Sequence, residues 1–393
     1  MKYRIDERTG NKLSILGFGC MRLPHGAMGI DVRKAEQLIL RAIEAGVNYF
    51  DTAYLYAGSE AVLGTVLSKN DLRGKVFIAT KLPIALCHAN ADFDRFFGKQ
   101  LASLGTDYID YYLIHNINSM AQWRGLCELG ICEWISDKRA EGKVKQIGFS
   151  FHGAKDEFAE ILDAYAWDFC QIQYNYANEH YQAGVSGLKK AAAKQMPVII
   201  MEPLLGGKLA TGLSPAAVDA FRNVNSAYSP AAWGLRWLWN QPEVTVVLSG
   251  MNGIEQLEDN LEIANQSRAD MLTSSEKAAY QKVVDIFKAT DKVPCTGCSY
   301  CMPCPRGVNI PACFASYNAS YTHGRVTSLA MYITSTAANR HGEGLASNCI
   351  GCGKCEQHCP QKIEVRHELG AVKRRMEPFW FRMAMEIMRK SAK

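Results

Sequence analysis

Eight cysteines in two regular runs are the most chemically loaded feature of this 393-residue chain. Cys295, Cys298, Cys301 and Cys304 stand three residues apart and are followed by Pro305. Cys349, Cys352 and Cys355 repeat that interval, then Cys359 and Pro360 follow after one more residue. Thiolates at this interval can close on one metal centre from a short loop. Paired CxxC units also build four-thiolate zinc sites, but two triplets each completed by Cys-Pro favour two [4Fe–4S] clusters. The first run is one residue shorter before its fourth cysteine, so Cys313 is a spare thiol that could replace Cys304. Gly297, Gly351 and Gly353 leave room for backbone N–H groups beside the sulfurs, which would tune a redox potential. A second set of residues suits proton donation coupled to hydride transfer. A Lys⁺ near a tyrosine stabilises the phenolate and lowers a pKa that starts near ~10. Asp51 can hold Lys81 charged, Tyr56 can give the proton, and His115 can hydrogen-bond a carbonyl oxygen.

Those four residues need a scaffold that brings them to one rim. Short apolar, β-rich runs recur at Leu16–Cys20, Val47–Phe50, Val76–Thr80, Tyr111–Ile114, Gln146–Phe149, Cys170–Tyr174, Val198–Met201 and Val244–Leu248. Helical periodicity fills most of the gaps, as in 31–45, 59–68 and 229–240, and Gly46, Gly74 and Gly142 fall where helices should end. Alternating strands and helices imply parallel pairing. Eight units over about 250 residues predict an α/β chain with a (β/α)8 TIM barrel. No GxGxxG follows the first strand, which argues against an open dinucleotide-binding sheet. In a barrel the active site lies at the C-terminal ends of the strands. Asp51, Lys81 and His115 close the second, third and fourth runs, and Tyr56 follows Asp51 by five residues.

The sequence resembles the aldo/keto reductase family over roughly residues 10–265. The resemblance rests on LGFGCMRLP at 16–24, AGVNYFDTAYLYAGSE at 45–60, TKLP at 80–83, LIH at 113–115, GKVKQIGFS at 142–150 and QIQYN at 171–175. It implies that Tyr56 is the general acid, tuned by Lys81, with Asp51 supporting Lys81 and His115 orienting the substrate carbonyl. It further implies a nicotinamide cofactor, NADH or NADPH, near Cys20, Met21 and Asp51. Ser150 and Gln171 would hold the carboxamide, and Met201 would pack on the ring in place of the family's usual aromatic residue. Pro203, Leu204 and Gly206 match a pyrophosphate loop. Gly250, Asn252, Gln256, Asp259 and Asn260 match an adenosine-side motif, although 249–260 also reads as a plain strand-to-helix connection. That stretch has no Lys or Arg, and Lys208 is the nearby cation, so NADH is favoured over NADPH.

The second cysteine run is similar to that of bacterial ferredoxins, in which the Cys-Pro cysteine ligates the other cluster. On that rule Cys295, Cys298, Cys301 and Cys359 hold one [4Fe–4S] cluster, and Cys349, Cys352, Cys355 and Cys304 hold the second. A subgroup of aldo/keto reductases carries such a ferredoxin-like C-terminal domain. The implied division is a barrel over 1–290, a two-cluster domain over 291–370 and a basic amphipathic helix over 371–393. Within the insert between the runs, His323 and His341 read as solvated residues.

Composition sets the remaining bounds. At 48% hydrophobic, 21% charged and 10% aromatic residues, disorder is excluded. No apolar run approaches the ~20 residues of a membrane span, and the N-terminus has no apolar leader, so a cytoplasmic location is expected. The net charge of +5 equals that of residues 371–393 alone, so no general nucleic-acid surface is expected. There Arg382, Glu386, Arg389 and Lys393 share a face, suited to docking at home or on an acidic partner. Cys20, Cys87, Cys127, Cys132 and Cys170 lack ligand spacing and read as small apolar residues. The expected reaction moves a hydride between NAD(P)H and a small carbonyl or alcohol. A ferredoxin- or flavodoxin-like protein would exchange single electrons with the clusters. The sequence shows no recognisable flavin site to split a hydride into single electrons. An alternative reading is an electron-transfer or redox-sensing module with a regulatory nucleotide-binding barrel.

Overall fold

A computed structural model describes residues 1–26, 29–322, 324–336, 344–379, 381 and 383. The chain forms two compact units, Met1–Pro203 with Ala231–Leu272, and Leu204–Pro230 with Thr273–Lys393. The second unit takes in the helix Ser274–Thr290, so the expected division near residue 291 falls inside it.

Eight parallel strands close the first unit into a barrel: Leu16–Gly19, Tyr49–Asp51, Phe77–Leu82, Ile109–Ile114, Val144–Phe151, Phe169–Gln173, Val198–Met201 and Val246–Ser249. All eight apolar runs become barrel strands, in chain order around the ring. Helices Val32–Glu44 and Ser59–Lys69 fall where the periodicity puts them, and Gly46 and Gly142 take φ of 92° and 70° just before strands. That left-handed conformation ends a helix at little cost only for glycine.

The strand register decides what the barrel encloses. Asp51 pairs with Ala79, two residues before Lys81, and Lys81 pairs with Leu113, two before His115. Leu113 pairs with Gly148, two before Ser150; Ser150 pairs with Gln171; and Gln171 pairs with Ile199, two before Met201. Because side chains alternate, Asp51, Lys81, His115, Ser150, Gln171 and Met201 all lie on one face of the sheet. Below them Tyr49, Ala79, Tyr111, Leu113, Phe169, Ile199 and Val246 form a packed floor with Leu13. Leu13 comes from the antiparallel pair Tyr3–Ile5 and Lys12–Ser14, whose turn places Asp6 as acceptor for the Tyr111 hydroxyl at 3.1 Å.

The second unit is helical. Helices Ile310–Thr322, Arg325–Ser335 and Val365–Met376 share a core of Ile310, Phe314, Tyr332, Leu369, Val372 and Met376. Asn318 ties down the chain just after the helix Ser274–Thr290, with its carboxamide oxygen accepting from the N–H of Lys292 and Val293, and its amide donating to Asp291. Among the described residues no helix is long and apolar enough to cross a membrane. The proposed basic face of Arg382, Glu386, Arg389 and Lys393, and His323 and His341, lie outside the described residues.

Candidate active site and thiolate loops

At the C-terminal rim of the barrel the Lys81 ammonium is 1% exposed and donates to Asp51 Oδ1 at 2.6 Å and to the Thr52 carbonyl at 2.7 Å. It also stands 4.9 Å from the centre of the Tyr56 ring. Tyr56 meets His115 edge-on, with ring centres 6.3 Å apart. The four residues expected to act together therefore surround one point, with Tyr56 half-exposed and the others buried. Burial pushes the Asp51 carboxyl upward, opposed by the charge and hydrogen bond of Lys81. His115 is driven well below the usual imidazole range, by burial first and then by Lys81 and His152. A neutral imidazole at this rim can donate one N–H without carrying a charge.

Several contributors lay hidden in the sequence. Behind Lys81, Glu60 accepts from Thr80 at 2.5 Å and from the Gln100 amide at 2.8 Å. Gln100 also donates to the Lys81 carbonyl at 3.1 Å and accepts from the Tyr112 hydroxyl at 2.7 Å. This network clamps the third strand at the residue whose charge matters. Its one local signal is a carboxylate at the second position of the helix Ser59–Lys69. His152, two residues beyond Ser150, is buried at the same rim, and its ring meets Gln182 at 3.2 Å.

The expected nucleotide residues divide between the two units. Cys20 and Met21 follow the first strand; Cys20 is buried, with its thiol pushed up by burial and by Asp51. Ser150 Oγ accepts from the Asn116 N–H at 2.8 Å and keeps its own proton to give. Gln171 donates to the Met201 sulfur at 3.6 Å, and its carboxamide oxygen is buried without a partner among the described residues. An orphaned buried acceptor costs about 1–3 kcal/mol, so this oxygen suits a bound amide N–H. Asn260 is 4% exposed and donates to Ser249 at 2.9 Å, while Gln256 accepts from the Asn252 N–H at 3.0 Å. Gly250 is exposed and Asp259 half-buried. Arg22, unremarked in the sequence, lies over Gly250, where an added Cβ would meet its stem at 3.4–3.6 Å. Pro203 ends the first unit's chain segment, and Leu204 and Gly206 belong to the second. Lys208, the expected nearby cation, has its ammonium on Asp291 at 2.6 Å and the Val293 carbonyl at 2.9 Å.

The cysteine loops share one backbone design. Gly297 and Ser299 flank Cys298 with φ of 67° and 64°, and Gly351 and Gly353 flank Cys352 with 73° and 75°. Such left-handed pairs curl the chain so that backbone N–H groups point inward. The Gly351 N–H lies 3.4 Å from the Cys349 sulfur, and the Gly297 N–H bonds Cys295. Cys295, Cys298 and Cys301 ring a hollow whose wall also holds Cys359 from the second run, with Ile310, Phe314, Ile363 and Val365 as apolar lining. The chain thus brings the distant Cys-Pro cysteine to the first triplet. Cys349 and Cys352 both lie within electrostatic reach of Cys355, and Cys304 and Cys349 both lie near Cys313. The Cys313 thiol is fully buried and points at the Gly344 carbonyl at 3.5 Å. Among the described residues no three His, Cys, Asp or Glu side chains converge on a point that one metal ion would fill. Four soft thiolates around a largely apolar hollow fit an iron–sulfur cube.

Two of the cysteines read as small apolar residues lie against each other. Cys127 and Cys132 are half-buried, and their sulfurs approach to 3.5 Å.

The family model described as aldo/keto reductase family matches residues 15–278, and that described as 4Fe-4S dicluster domain matches residues 294–364. An uncharacterized oxidoreductase YqkF of Bacillus subtilis is 26% identical over 309 residues, covering 70% of this chain and 95% of that protein. Methylglyoxal reductase YeaE of Escherichia coli is 31% identical over 229 residues, covering 52% of this chain and 73% of the relative. The structure of aldo-keto reductase AKR11C1 from Bacillus halodurans, in its holo form, superposes with a TM-score of 0.58. It is 23% identical and covers 72% of this chain and 96% of that one, a likeness of fold.

Proposed function

The chain belongs to the aldo/keto reductase family, with a C-terminal 4Fe-4S domain, and we propose that Tyr56 gives a proton to the carbonyl oxygen of a small substrate during its reduction. The observation that carries this is the buried Lys81 ammonium, held by Asp51 and facing the Tyr56 ring. When bound, NADH or NADPH supplies the hydride. The chain's residues supply everything else. Lys81 stabilises the developing phenolate, and so lowers the barrier to releasing the Tyr56 proton. Asp51 fixes the ammonium in place. His115, neutral, donates a second hydrogen bond to the same oxygen and fixes its direction. Gln171 and Ser150 would hold the carboxamide of the bound cofactor.

Two [4Fe–4S] clusters are proposed in the second unit, on Cys295, Cys298, Cys301 and Cys359, and on Cys349, Cys352, Cys355 and Cys304. When bound, each exchanges one electron. Cys352 is exposed and Ile350 is 63% exposed, with Lys354 and Lys362 exposed nearby in sequence. That surface supports an acidic ferredoxin- or flavodoxin-like partner. The redox-sensing alternative draws on the mismatch between two-electron hydride and one-electron clusters; the assembled tetrad weighs against it.

The deciding experiment is carbonyl reduction by anaerobically purified protein and by Tyr56→Phe. Loss of turnover with intact cofactor binding supports the reductase reading. Equal turnover in the two proteins sinks it.

A further inference from the structure

We propose that Cys127 and Cys132 form an oxidant-responsive dithiol that closes reversibly to a disulfide. Cys127 lies in the last turn of the helix Met120–Glu128, and Cys132 in the first turn of Ile131–Ala140. Between them the chain reverses at Gly130, whose φ of 85° suits glycine. The turn is fixed: Asn90 donates to the Leu129 carbonyl at 2.9 Å, and a Cβ on Gly130 would meet the Asn90 amide at 2.8 Å. The two sulfurs are thus presented at 3.5 Å by a rigid corner. Closing to ~2.05 Å asks for a shift of roughly 1.5 Å, within the reach of side-chain rotation.

Their surroundings separate this pair from the other cysteines of the barrel unit. Cys20, Cys87 and Cys170 are buried, and the first two point their thiols at the carbonyls of Phe18 and Pro83. Cys127 and Cys132 are both partly open to solvent, so a small oxidant can reach them. Burial, the contact with Cys132 and the acids Glu133 and Glu128 push the Cys127 thiol up to about 12, which keeps it a thiol at rest. With a hydroperoxide, the Cys132 sulfur takes one peroxide oxygen to give a sulfenic acid and an alcohol. The Cys127 sulfur then attacks the sulfenic sulfur, forming the S–S bond and releasing water. Two thiols lose two electrons and two protons, and the hydroperoxide takes them up. A dithiol reductant reverses the step by exchange. The bond would tie together two helices on the segment that follows His115, so closure restrains the stretch 116–134.

The test uses the holoprotein. One equivalent of cumene hydroperoxide is added anaerobically, free thiols are blocked with N-ethylmaleimide, and the protein is digested with trypsin. The peptide from Gly125 to Lys138 contains both cysteines. We expect most of it unalkylated and lighter by two hydrogens, and doubly alkylated when dithiothreitol precedes the block. In Cys127→Ser the same peptide should carry Cys132 as an oxidised acid, without a disulfide. A peptide alkylated on both cysteines after peroxide overturns the proposal, as does a bond from Cys127 to any cysteine other than Cys132. Iron content measured at the same dose shows whether the clusters survive that oxidant. Reaction at the dithiol only after iron is lost counts against a responsive role.

Discussion

Lys81 and Asp51 form an ion pair at 2.6 Å with side chains 1% and 5% exposed, so neither charge is shared with water. Breaking such a pair from one side leaves an uncompensated charge, at about 3–5 kcal/mol. Asp51→Asn should therefore lower unfolding stability by that order as well as turnover. Tyr56→Phe removes only the hydroxyl of a half-exposed residue and leaves its ring in place. It should cost a factor of about 10²–10⁴ in kcat with little change in stability. The double variant Asp51→Asn with Lys81→Met should recover part of the lost stability and none of the turnover. Urea unfolding and carbonyl-reduction kinetics on the same preparations check all three.

The His115 imidazole gives a pH signature. Burial, Lys81 and His152 hold its folded pKa well below the unfolded value of ~6.5. Below about pH 6.5 the unfolded chain takes up a proton that the folded chain refuses. The contribution is thus fully present above that pH and is lost as pH falls toward the folded pKa. This one group can account for at most about 1.4 kcal/mol per pH unit. Urea unfolding at pH 7.5 and 5.5 should show a larger loss in wild type than in His115→Asn. Equal losses would mean that His115 titrates in the fold as it does in the open chain.

The cluster assignment predicts iron counts. Wild-type protein purified without oxygen should hold about eight irons per chain. Cys359→Ala should fall to about four, because the hollow it completes belongs to Cys295, Cys298 and Cys301. Cys304→Ala should also lose a cluster, whereas Cys313→Ala should keep both, since the Cys313 thiol is buried against a carbonyl. Stoichiometric zinc in a colourless protein would overturn the assignment. So would Cys313→Ala losing iron while Cys304→Ala keeps it.

Much of this was legible in the sequence because it repeats at short range. Strand runs, helix-ending glycines and cysteine intervals are local signals, and eight of them in order specify the barrel. Even the crossing of Cys359 to the first triplet has a local mark, the proline after it. What stayed hidden depends on contacts between distant residues. Nothing near Lys208 announces Asp291, which takes its ammonium from 83 positions away. Glu60 and Gln100 are 40 residues apart, and their meeting under Lys81 follows only from barrel closure. Cys127 and Cys132 are close in sequence, but five positions along one continuous helix would not stack two side chains. The turn at Gly130 joins them.

Gln171 offers a direct measure of the cofactor site. Its buried carboxamide oxygen has no partner among the described residues. Binding of a nicotinamide amide would satisfy it, and Gln171→Leu would remove that gain. Kd for NADH or NADPH should rise about tenfold, in line with one buried hydrogen bond, while unfolding stability of the free protein holds or improves. Titration of cofactor fluorescence together with urea unfolding separates these effects. An unchanged Kd would place the carboxamide elsewhere.

Cofactor choice turns on cations near the loop 249–260. That stretch carries Glu255, Glu258 and Asp259 and no Lys or Arg. Glu258 is itself paired with Arg41 at 2.6 Å, and Lys208 is held by Asp291. Arg22 also lies at this loop, its stem on Gly250. A 2′-phosphate is bound well by a cluster of charge-assisted hydrogen bonds, and a single guanidinium supplies a modest share. NADH should therefore bind more tightly than NADPH, and Arg22→Ala should widen the gap by weakening NADPH alone. If NADPH binds more tightly and Arg22→Ala abolishes its advantage, the preference is the reverse and Arg22 is its source.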